Sequence, residues 1–204
     1  MRRACALLSL VLSSCAASAA PWTDLFDGAT TAGWTATNFG GEGEVVVVDG
    51  ALELGFGSPM TGLTWAGAPP SGEYDLEVTA ARVDGTDFFC GMTFPVGDAF
   101  LTLVLGGWGG SLCGLSSLDG DDAANNDSKR LFRFENGRDY QVLLQVRRAH
   151  VTVKVDGALL MEVPIEGRRL SLRPEVELSR PLGIASFATR ARVRRLRWRS
   201  ATSG

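Results

Sequence analysis

The feature that most constrains the fold is a succession of short runs of β-branched and aromatic residues separated by turn residues. Asp-Gly pairs follow two of these runs, at Asp49-Gly50 and Asp156-Gly157. The tightest hairpin turns need positive φ at both central residues, which Asp-Gly tolerates, so each pair predicts a β-hairpin. We find no convincing amphipathic helix longer than two turns. The pattern therefore predicts an antiparallel all-β chain.

The hydrophobic pattern also predicts how deeply individual strands are buried. Residues 74–79 alternate strictly between apolar and polar side chains, which predicts a strand with one buried face. Residues 88–94 and 100–105 are more continuously apolar and predict strands in the middle of a sheet. The other predicted strands are 44–48, 51–54, 140–146, 151–155, 158–163 and 182–187. With 25 glycines for turns, this favours a two-sheet antiparallel jelly-roll sandwich of the concanavalin A type.

The last predicted strand contains a change of parity. Its apolar residues are odd-numbered in residues 191–194 and even-numbered in residues 196–199. Because side chains in a strand alternate with a period of two, the switch needs one extra residue, and we predict a β-bulge at Arg194-Arg195. The arginines of this strand are expected on its solvent face, with a ligand-binding basic stripe as the alternative.

The N-terminal residues have the pattern of an export signal. Arg2 and Arg3 precede an apolar run and then small residues, so residues 1–19 are predicted to be a signal peptide cleaved after Ala19. Residues 12–15 also resemble a lipobox, in which Cys15 would carry a lipid anchor. No segment is long and apolar enough for a transmembrane span. We therefore expect a periplasmic, cell-envelope or extracellular protein, with or without a lipid anchor.

The remaining chain, residues 22–200, is predicted to form a single β-sandwich domain. Removal of residues 1–19 takes away two arginines and no acids, which changes the net charge from -3 to -5. An acidic domain does not suit nucleic acid, which selects a basic surface. Cys90 and Cys113 could pair if their strands are neighbours, or remain buried thiols. The oligomeric state is left open.

Both ends of this domain resemble a known family. Leu25-Phe26-Asp27-Gly28, followed by Gly33-Trp34, resembles the opening of the secreted domains named for 3-keto-disaccharide hydrolase. Residues 182–185, followed by alternating arginine and apolar residues up to Arg199, resemble the family's ending. The resemblance covers essentially the whole of residues 22–200. It implies a concanavalin-like jelly roll, a carbohydrate ligand, and a hydrolase or lyase that cleaves 3-keto-glycosides.

The middle of the chain departs from the family pattern. Residues 87–91 stand where members typically carry an Asn-Ser-Gly-like segment, and residues 180–183 lack the histidine that many members have near the end. His150 is the only histidine and lies in a predicted turn, which excludes a three-histidine zinc site and disfavours a Ser-His-Asp triad. The alternative function is therefore a non-catalytic glycan-binding or cell-envelope module on the same fold.

An acidic loop is the densest polar cluster in the sequence. It contains six oxygen-bearing side chains: Asp119, Asp121, Asp122, Asn125, Asn126 and Asp127. Calcium takes six to eight oxygen ligands, so Asp119, Asp121 and Asp122 are candidate Ca²⁺ ligands. The EF-hand spacing fails at Ala123, and a solvated acidic loop is the alternative. No other cofactor is indicated.

Candidate sugar contacts begin with Trp108, which lies in a Gly-Gly-Trp-Gly-Gly segment. Flanking glycines let a ligand approach closely, and an indole offers a large rigid plane for a sugar ring. The alternative is a tryptophan that plugs the core. Trp65, Asn126 and Glu42 are further candidate substrate contacts.

Candidate catalytic groups are the pairs Asp119/Asp122 and Glu175/Glu177. Hydrolysis of a glycosidic bond generally uses two carboxyl groups. A 3-keto sugar has an acidified C–H next to the ketone, so one base, one acid and a cation that stabilises the enolate would suffice. Arg180 is the candidate cation.

Overall fold

The computed structural model describes residues 20–201. The predictions made for residues 1–19, cleavage after Ala19 and lipidation of Cys15, therefore lie outside the described residues. Within residues 20–201, no helix is long and apolar enough to cross a membrane.

Fifteen strands and one short 3-10 helix make up the described chain. The strands are β1 (Thr23–Asp24), β2 (Trp34–Ala36), β3 (Val45–Val48), β4 (Ala51–Leu54), β5 (Met60–Trp65), β6 (Tyr74–Gly85), β7 (Cys90–Val96), β8 (Ala99–Gly107), β9 (Leu112–Ser116), β10 (Arg130–Leu131), β11 (Tyr140–Val146), β12 (His150–Val155), β13 (Ala158–Pro164), β14 (Gly183–Phe187) and β15 (Thr189–Ser200). The 3-10 helix spans Pro174–Ser179.

The strands form two antiparallel sheets. The back sheet has the order β13-β12-β11-β6-β15-β4-β3, with β1 paired to β15, and the front sheet has the order β10-β9-β8-β7-β14-β5-β2. Both Asp-Gly hairpins are confirmed: β3–β4 and β12–β13 pair antiparallel, and Asp49 and Asp156 have φ of 50°. The predicted all-β, two-sheet antiparallel sandwich is confirmed.

The main core lies between the two sheets. It takes alternate residues from each strand, such as Leu76 and Val78 from the back sheet and Met92 and Phe94 from the front sheet. Full burial of one such side chain stabilises the fold by about 2 kcal/mol. The alternation of the sequence is what places these side chains on one face.

Strand β6 differs from the prediction of one buried face, because its polar face is buried as well. Asp75 and Glu77 are only 3% and 6% exposed. The antiparallel register places Arg199 opposite Asp75 and Arg197 opposite Glu77, and both arginines form ion pairs over these acids. The alternating pattern did not predict that arginines would cover this polar face. Acids and arginines bury one another only when two strands that are distant in sequence pair in register.

The bulge in β15 is confirmed. Val193 pairs with Ala80 and Arg195 pairs with Thr79, which leaves Arg194 without a partner across the strand pair. The extra residue lets both Val193 and Leu196 enter the core.

Cys90 and Cys113 are both buried and free. Both lie opposite Leu105, one from each side, so β8 separates them. Two strand spacings amount to ~10 Å, which is beyond the Cα separation that a disulfide can bridge. The alternative of buried thiols therefore holds.

Candidate functional site

Two segments cover the outer face of the front sheet: residues 117–128, the first covering segment, and residues 168–180, the second. Ser117 and Ser171 bind them together through two backbone hydrogen bonds of 2.7 and 3.1 Å. Val176 of the second segment packs on Met60 and Ala185, which face away from the main core. The covering layer turns most of this face into interior and confines open space to its margin.

A cleft of about 290 Å³ lies at that margin, beside the turn between β8 and β9, and we call it the Trp108 cleft. Its lining combines two carboxylates, one guanidinium, three aromatic rings and one aliphatic side chain: Asp87, Glu175, Arg173, Phe88, Trp108, Phe187 and Val176. The volume lies at the small end of the range for ligand pockets. Aromatic faces beside charged groups suit a ligand with an apolar ring face and hydroxyl edges.

A second, more polar cleft of about 480 Å³ adjoins it, and we call it the polar cleft. Arg173 and Glu175 line both clefts. The polar cleft adds Asp121, Asp122 and Asn125 from the first covering segment. Arg173 therefore stands at the junction of an aromatic and an acidic compartment.

Arg173 organises the carboxylates at this junction. Its Nη2 and Nε donate to the two oxygens of Glu175 at 2.7 and 3.3 Å, and its Nη1 donates to Asp122 at 2.8 Å. The hydrogen bond from Arg173 holds the pKa of Glu175 below its ordinary value. Glu175 is therefore an ionised acceptor and not a proton donor near neutral pH. A guanidinium has five N–H donors, so the contacts within residues 20–201 leave two for a ligand.

Asp87 is the second carboxylate of the Trp108 cleft, and the sequence analysis did not select it. Its Oδ1 accepts from the Phe88 backbone at 2.8 Å, and its Oδ2 lies 3.4 Å from the Gly109 nitrogen. None of the ion pairs within residues 20–201 includes Asp87. Its signal in the sequence is its position, at the start of the segment that departs from the family pattern.

Trp108 lies in the turn between β8 and β9 and is 44% exposed. Its backbone has φ of 48°, a left-handed conformation that is uncommon for a bulky residue. The alternative of a core plug is excluded by this exposure. Beside it, the rings of Phe88 and Phe187 lie 5.7 Å apart and extend the aromatic wall. Contact between Trp108 and a sugar remains a prediction.

The structure does not bring all the candidate catalytic residues into these clefts. Asp119 forms an ion pair with Arg168 at 2.8 Å and does not line either cleft. Glu177 pairs with Arg180 at 3.0 Å, and the Arg180 guanidinium lies over the Phe100 ring, 5.4 Å from its centre. Of the candidate acids, Glu175 and Asp122 are the two that meet, because both bind Arg173.

Asn126 and Glu42, two of the candidate substrate contacts, form hydrogen bonds with nearby backbone groups. Asn126 donates to the carbonyls of Leu115 and Asp121 at 2.8 and 3.0 Å, which holds the first covering segment. Glu42 accepts from the backbone of its own loop at Gly40 and Gly41.

Trp65 lines a different cleft of about 330 Å³, with Thr35, Thr64 and Leu178 among its other residues. The rings of Trp65 and Trp34 lie 5.1 Å apart. The indole nitrogen of Trp65 donates to the Ala68 carbonyl at 3.2 Å. Trp65 therefore does not contribute to the Trp108 cleft.

The predicted calcium ligands have arginine partners in the structure. Within residues 20–201, no group of three or more His, Cys, Asp or Glu side chains is arranged to hold a metal ion. Asp119 turns to Arg168 and Asp122 to Arg173, so the carboxylates are neutralised separately and do not converge on one point with Asp121. Binding of Ca²⁺ by Asp119, Asp121 and Asp122 stays a prediction.

Comparison with known proteins gives a family and a set of similar folds. Residues 21–199 match the model of the 3-keto-alpha-glucoside-1,2-lyase-like domain. No curated protein matches the sequence. The carbohydrate-binding module CBM66 from Bacillus subtilis is similar with a TM-score of 0.54 and 9% identity, covering 82% of this chain and 96% of the module.

Two further solved structures share the fold. The Crh5 transglycosylase in complex with NAG has a TM-score of 0.61 and 12% identity, covering 91% of this chain and 86% of its own. The Emp46p carbohydrate recognition domain has a TM-score of 0.58 and 11% identity, covering 84% and 89%. At these identities the likeness shows the jelly-roll fold alone.

Proposed function

Because the chain belongs to the 3-keto-alpha-glucoside-1,2-lyase-like domain family, we propose that it cleaves 3-keto-glycosides in the Trp108 cleft. The family is carbohydrate-active, and its name points to elimination as the bond-breaking step. The observation that carries the proposal is the meeting of Asp87, Arg173, Glu175 and Trp108 around one small cleft.

The chemistry follows from the ketone at C3 of the sugar. A base removes the proton from C2, which the ketone acidifies, and negative charge develops on the ketone oxygen. The electrons then re-form the carbonyl, a C1–C2 double bond appears, and the C1–O bond to the leaving sugar breaks. The leaving oxygen takes a proton, and later addition of water across the double bond makes the net reaction a hydrolysis.

Asp87 is the base in this proposal. It is a partly exposed carboxylate outside the arginine pairs of the cleft. Each of its oxygens accepts one backbone N–H, which leaves lone pairs for a C–H group. After it takes the C2 proton it can return that proton to the leaving oxygen. One carboxyl group therefore balances the proton transfers of the elimination.

Arg173 stabilises the enolate. Its two remaining N–H donors supply charge-assisted hydrogen bonds to a developing oxyanion, which is where preorganised donors contribute most. Glu175 holds the guanidinium in place and remains ionised. Trp108 supplies the plane on which the sugar ring packs. Arg173 thus takes the role that the sequence analysis gave to Arg180.

The test uses a 3-keto-glucoside and the matching unoxidised disaccharide as substrates. We expect release of free sugar from the 3-keto compound and a rate lower by about 100-fold or more in Asp87→Asn, which removes the base. Asp84→Asn is the matched control, because Asp84 is an exposed aspartate three residues earlier. Normal cleavage by Asp87→Asn would remove Asp87 from the mechanism, and no cleavage of any 3-keto-glycoside would refute the function.

Export is part of the proposal and is supported by the signal pattern of residues 1–19. Mass spectrometry of the protein made in its own host gives the N-terminus. A mature chain that starts at Ala20 supports a freely exported protein, and a lipid-modified Cys15 supports an anchored one. An intact N-terminal segment contradicts export.

Non-catalytic glycan binding is the second candidate function. Glu175 and Asp122 both form ion pairs with Arg173, so Asp87 is the single unpaired acid of the Trp108 cleft. This favours binding, because hydrolysis of a glycosidic bond generally uses two carboxyl groups. A similar fold is also a carbohydrate-binding module. Calorimetric binding of glycans without release of free sugar from any 3-keto-glycoside would establish this function in place of the first.

A further inference from the structure

A buried arginine lies beneath the turn that carries Trp108. Arg82 is in β6 of the back sheet, opposite Ala191, which belongs to the core between the sheets. In an antiparallel pair, opposite residues project to the same face. The Arg82 side chain therefore points into the sandwich interior, and the residue is only 6% exposed.

The guanidinium of Arg82 crosses the interior and reaches the turn of the front sheet. Its Nη2 donates to the carbonyl oxygens of Gly106 and Gly110, at 3.2 and 2.7 Å. It also lies over the ring of Phe89, 5.6 Å from the ring centre. One side chain thus ties together the first and last glycines of the segment that has Trp108 at its centre.

The turn needs such a support because of its backbone conformation. Gly106, Trp108, Gly109 and Gly110 all have positive φ, between 48° and 106°. A bulky residue in the left-handed region persists only when its surroundings determine it. A Cβ atom on Gly106 would clash with Arg82 Nη2, so the absence of a side chain there is what lets the guanidinium approach.

Stability alone does not account for this arginine. Arg82 makes no ion pair within residues 20–201, and its Nε has no hydrogen-bond partner there. Burial lowers the pKa of Arg82, and the charge of Asp87, which lies beyond ion-pair distance, offsets this only in part. An apolar side chain would fill the same space without this cost. Both hydrogen bonds of its guanidinium go to the turn that presents Trp108.

We propose that Arg82 is a positioning residue, which fixes the plane of Trp108 at the cleft from the opposite sheet and so sets the affinity for the sugar. The proposal rests on the proposed function only in taking the Trp108 cleft as the sugar site. Arg82 does not line that cleft, so it acts through the turn.

The kinetic test compares Arg82→Met, Arg82→Lys and Trp108→Ala with a control, Arg147→Met. Arg147 donates to Tyr74 and Asp75 at the opposite end of β6, so its loss perturbs the same strand without touching the turn. We expect Arg82→Met to raise KM about tenfold, because a ring contact is equally present in the ground and transition states, and to lower kcat by no more than about threefold, because the same turn also holds Asp87 through Gly109. Arg82→Lys retains donors and should raise KM by only about threefold.

A structural readout keeps the test independent of catalysis. The chain has five tryptophans, and the indole N–H signal of Trp108 is assigned in a nitrogen–proton NMR spectrum by its loss in Trp108→Phe. We expect this signal to move or broaden in both Arg82 variants. The Trp34 signal is the internal control, because its indole donates to the Leu25 carbonyl and should not move.

The outcomes separate this inference from the proposed function. If Trp108→Ala leaves KM unchanged, the sugar site is elsewhere and the proposed function fails at that point, whatever Arg82 does to the turn. If Trp108→Ala raises KM while the Arg82 variants leave KM and the Trp108 signal unchanged, the positioning role is overturned and the function stands. An equal rise of KM in Arg147→Met also overturns it, because general loosening would then be the cause.

Discussion

The charged face of the back sheet and the Trp108 cleft are built from the same residue types but use them differently. On the back sheet, Asp75 and Glu77 lie beneath arginines and glutamines that cover both oxygens of each carboxylate. At the cleft, the side chain of Glu175 is 48% exposed, and Arg173 retains two N–H donors.

The two regions differ in how many hydrogen-bonding positions of their charged groups are already occupied. A buried carboxylate with every oxygen occupied contributes to the fold and has nothing left to offer a ligand. A guanidinium with unused donors beside an exposed indole contributes little to the fold, and in the proposed function it serves to bind the sugar. Breaking the first set should therefore lower stability without changing chemistry, and breaking the second should do the reverse.

The largest expected effect is on the free energy of unfolding, at the charged face of the back sheet. Asp75→Ala should lower the free energy of unfolding by about 3 kcal/mol, because it leaves Arg147 and Arg199 partly buried without their partner. Urea denaturation measures this, and cleavage under native conditions should stay within twofold. Arg138→Gln is the control: it breaks an exposed ion pair with Asp156 and should cost less than about 1 kcal/mol. If both variants lose the same free energy of unfolding, the buried ion pairs contribute no more to stability than the exposed pair.

Arg173→Gln should give the converse pattern. We expect kcat/KM to fall by about 100-fold, since the variant loses the donors that stabilise the enolate in the proposed mechanism. Its ion pairs are partly exposed, so the free energy of unfolding should fall by less than about 1 kcal/mol. A large loss of stability with unchanged kcat/KM would place Arg173 with the structural arginines.

A smaller effect is expected in the pH dependence of stability. Burial alone would raise the pKa of Asp75, but hydrogen bonds from Arg147, Gln145 and Arg199 outweigh it and hold the pKa below its ordinary value. A lowered folded pKa gives stability that is present above the unfolded pKa of about 3.9 and is lost as pH falls through the folded value. Urea titrations from pH 5 to pH 2 should show a shallower loss in Asp75→Asn. An identical acid slope in both proteins would contradict the assignment.

The smallest effects are expected at Glu177 and Arg180. Their ion pair is exposed on both sides, so Arg180→Gln should change the free energy of unfolding by less than about 0.5 kcal/mol. Cleavage of a 3-keto-glucoside should remain within twofold. A tenfold loss of activity would return Arg180 to the catalytic set that the sequence analysis gave it.

The fold was predictable because its determinants are local. Alternation, two Asp-Gly turns and one parity switch are each contained in a few residues, and they gave the hairpins and the bulge at Arg194. The cleft was predicted only in part, because Asp87 and Arg173 are far apart in sequence and meet only when the second covering segment folds over the front sheet.

Glu175 and Glu177 show a second reason for the partial prediction. The sequence analysis treated them as a pair of carboxylates for one site, and in the structure they lie in a 3-10 helix. With three residues per turn, side chains two positions apart point in different directions. Only Glu175 faces the cleft, and no sequence pattern in this segment distinguishes the two.

The separation of Cys90 and Cys113 by β8 has a practical consequence. With no cross-link between them, the domain should complete its fold as well in reducing solution as in oxidising solution. Burial raises the pKa of Cys90 to about 12 and that of Cys113 to about 11, so both thiols stay protonated and inert towards alkylating reagents while the sandwich is closed. Each therefore serves as a reporter whose labelling rate measures how often the two sheets part.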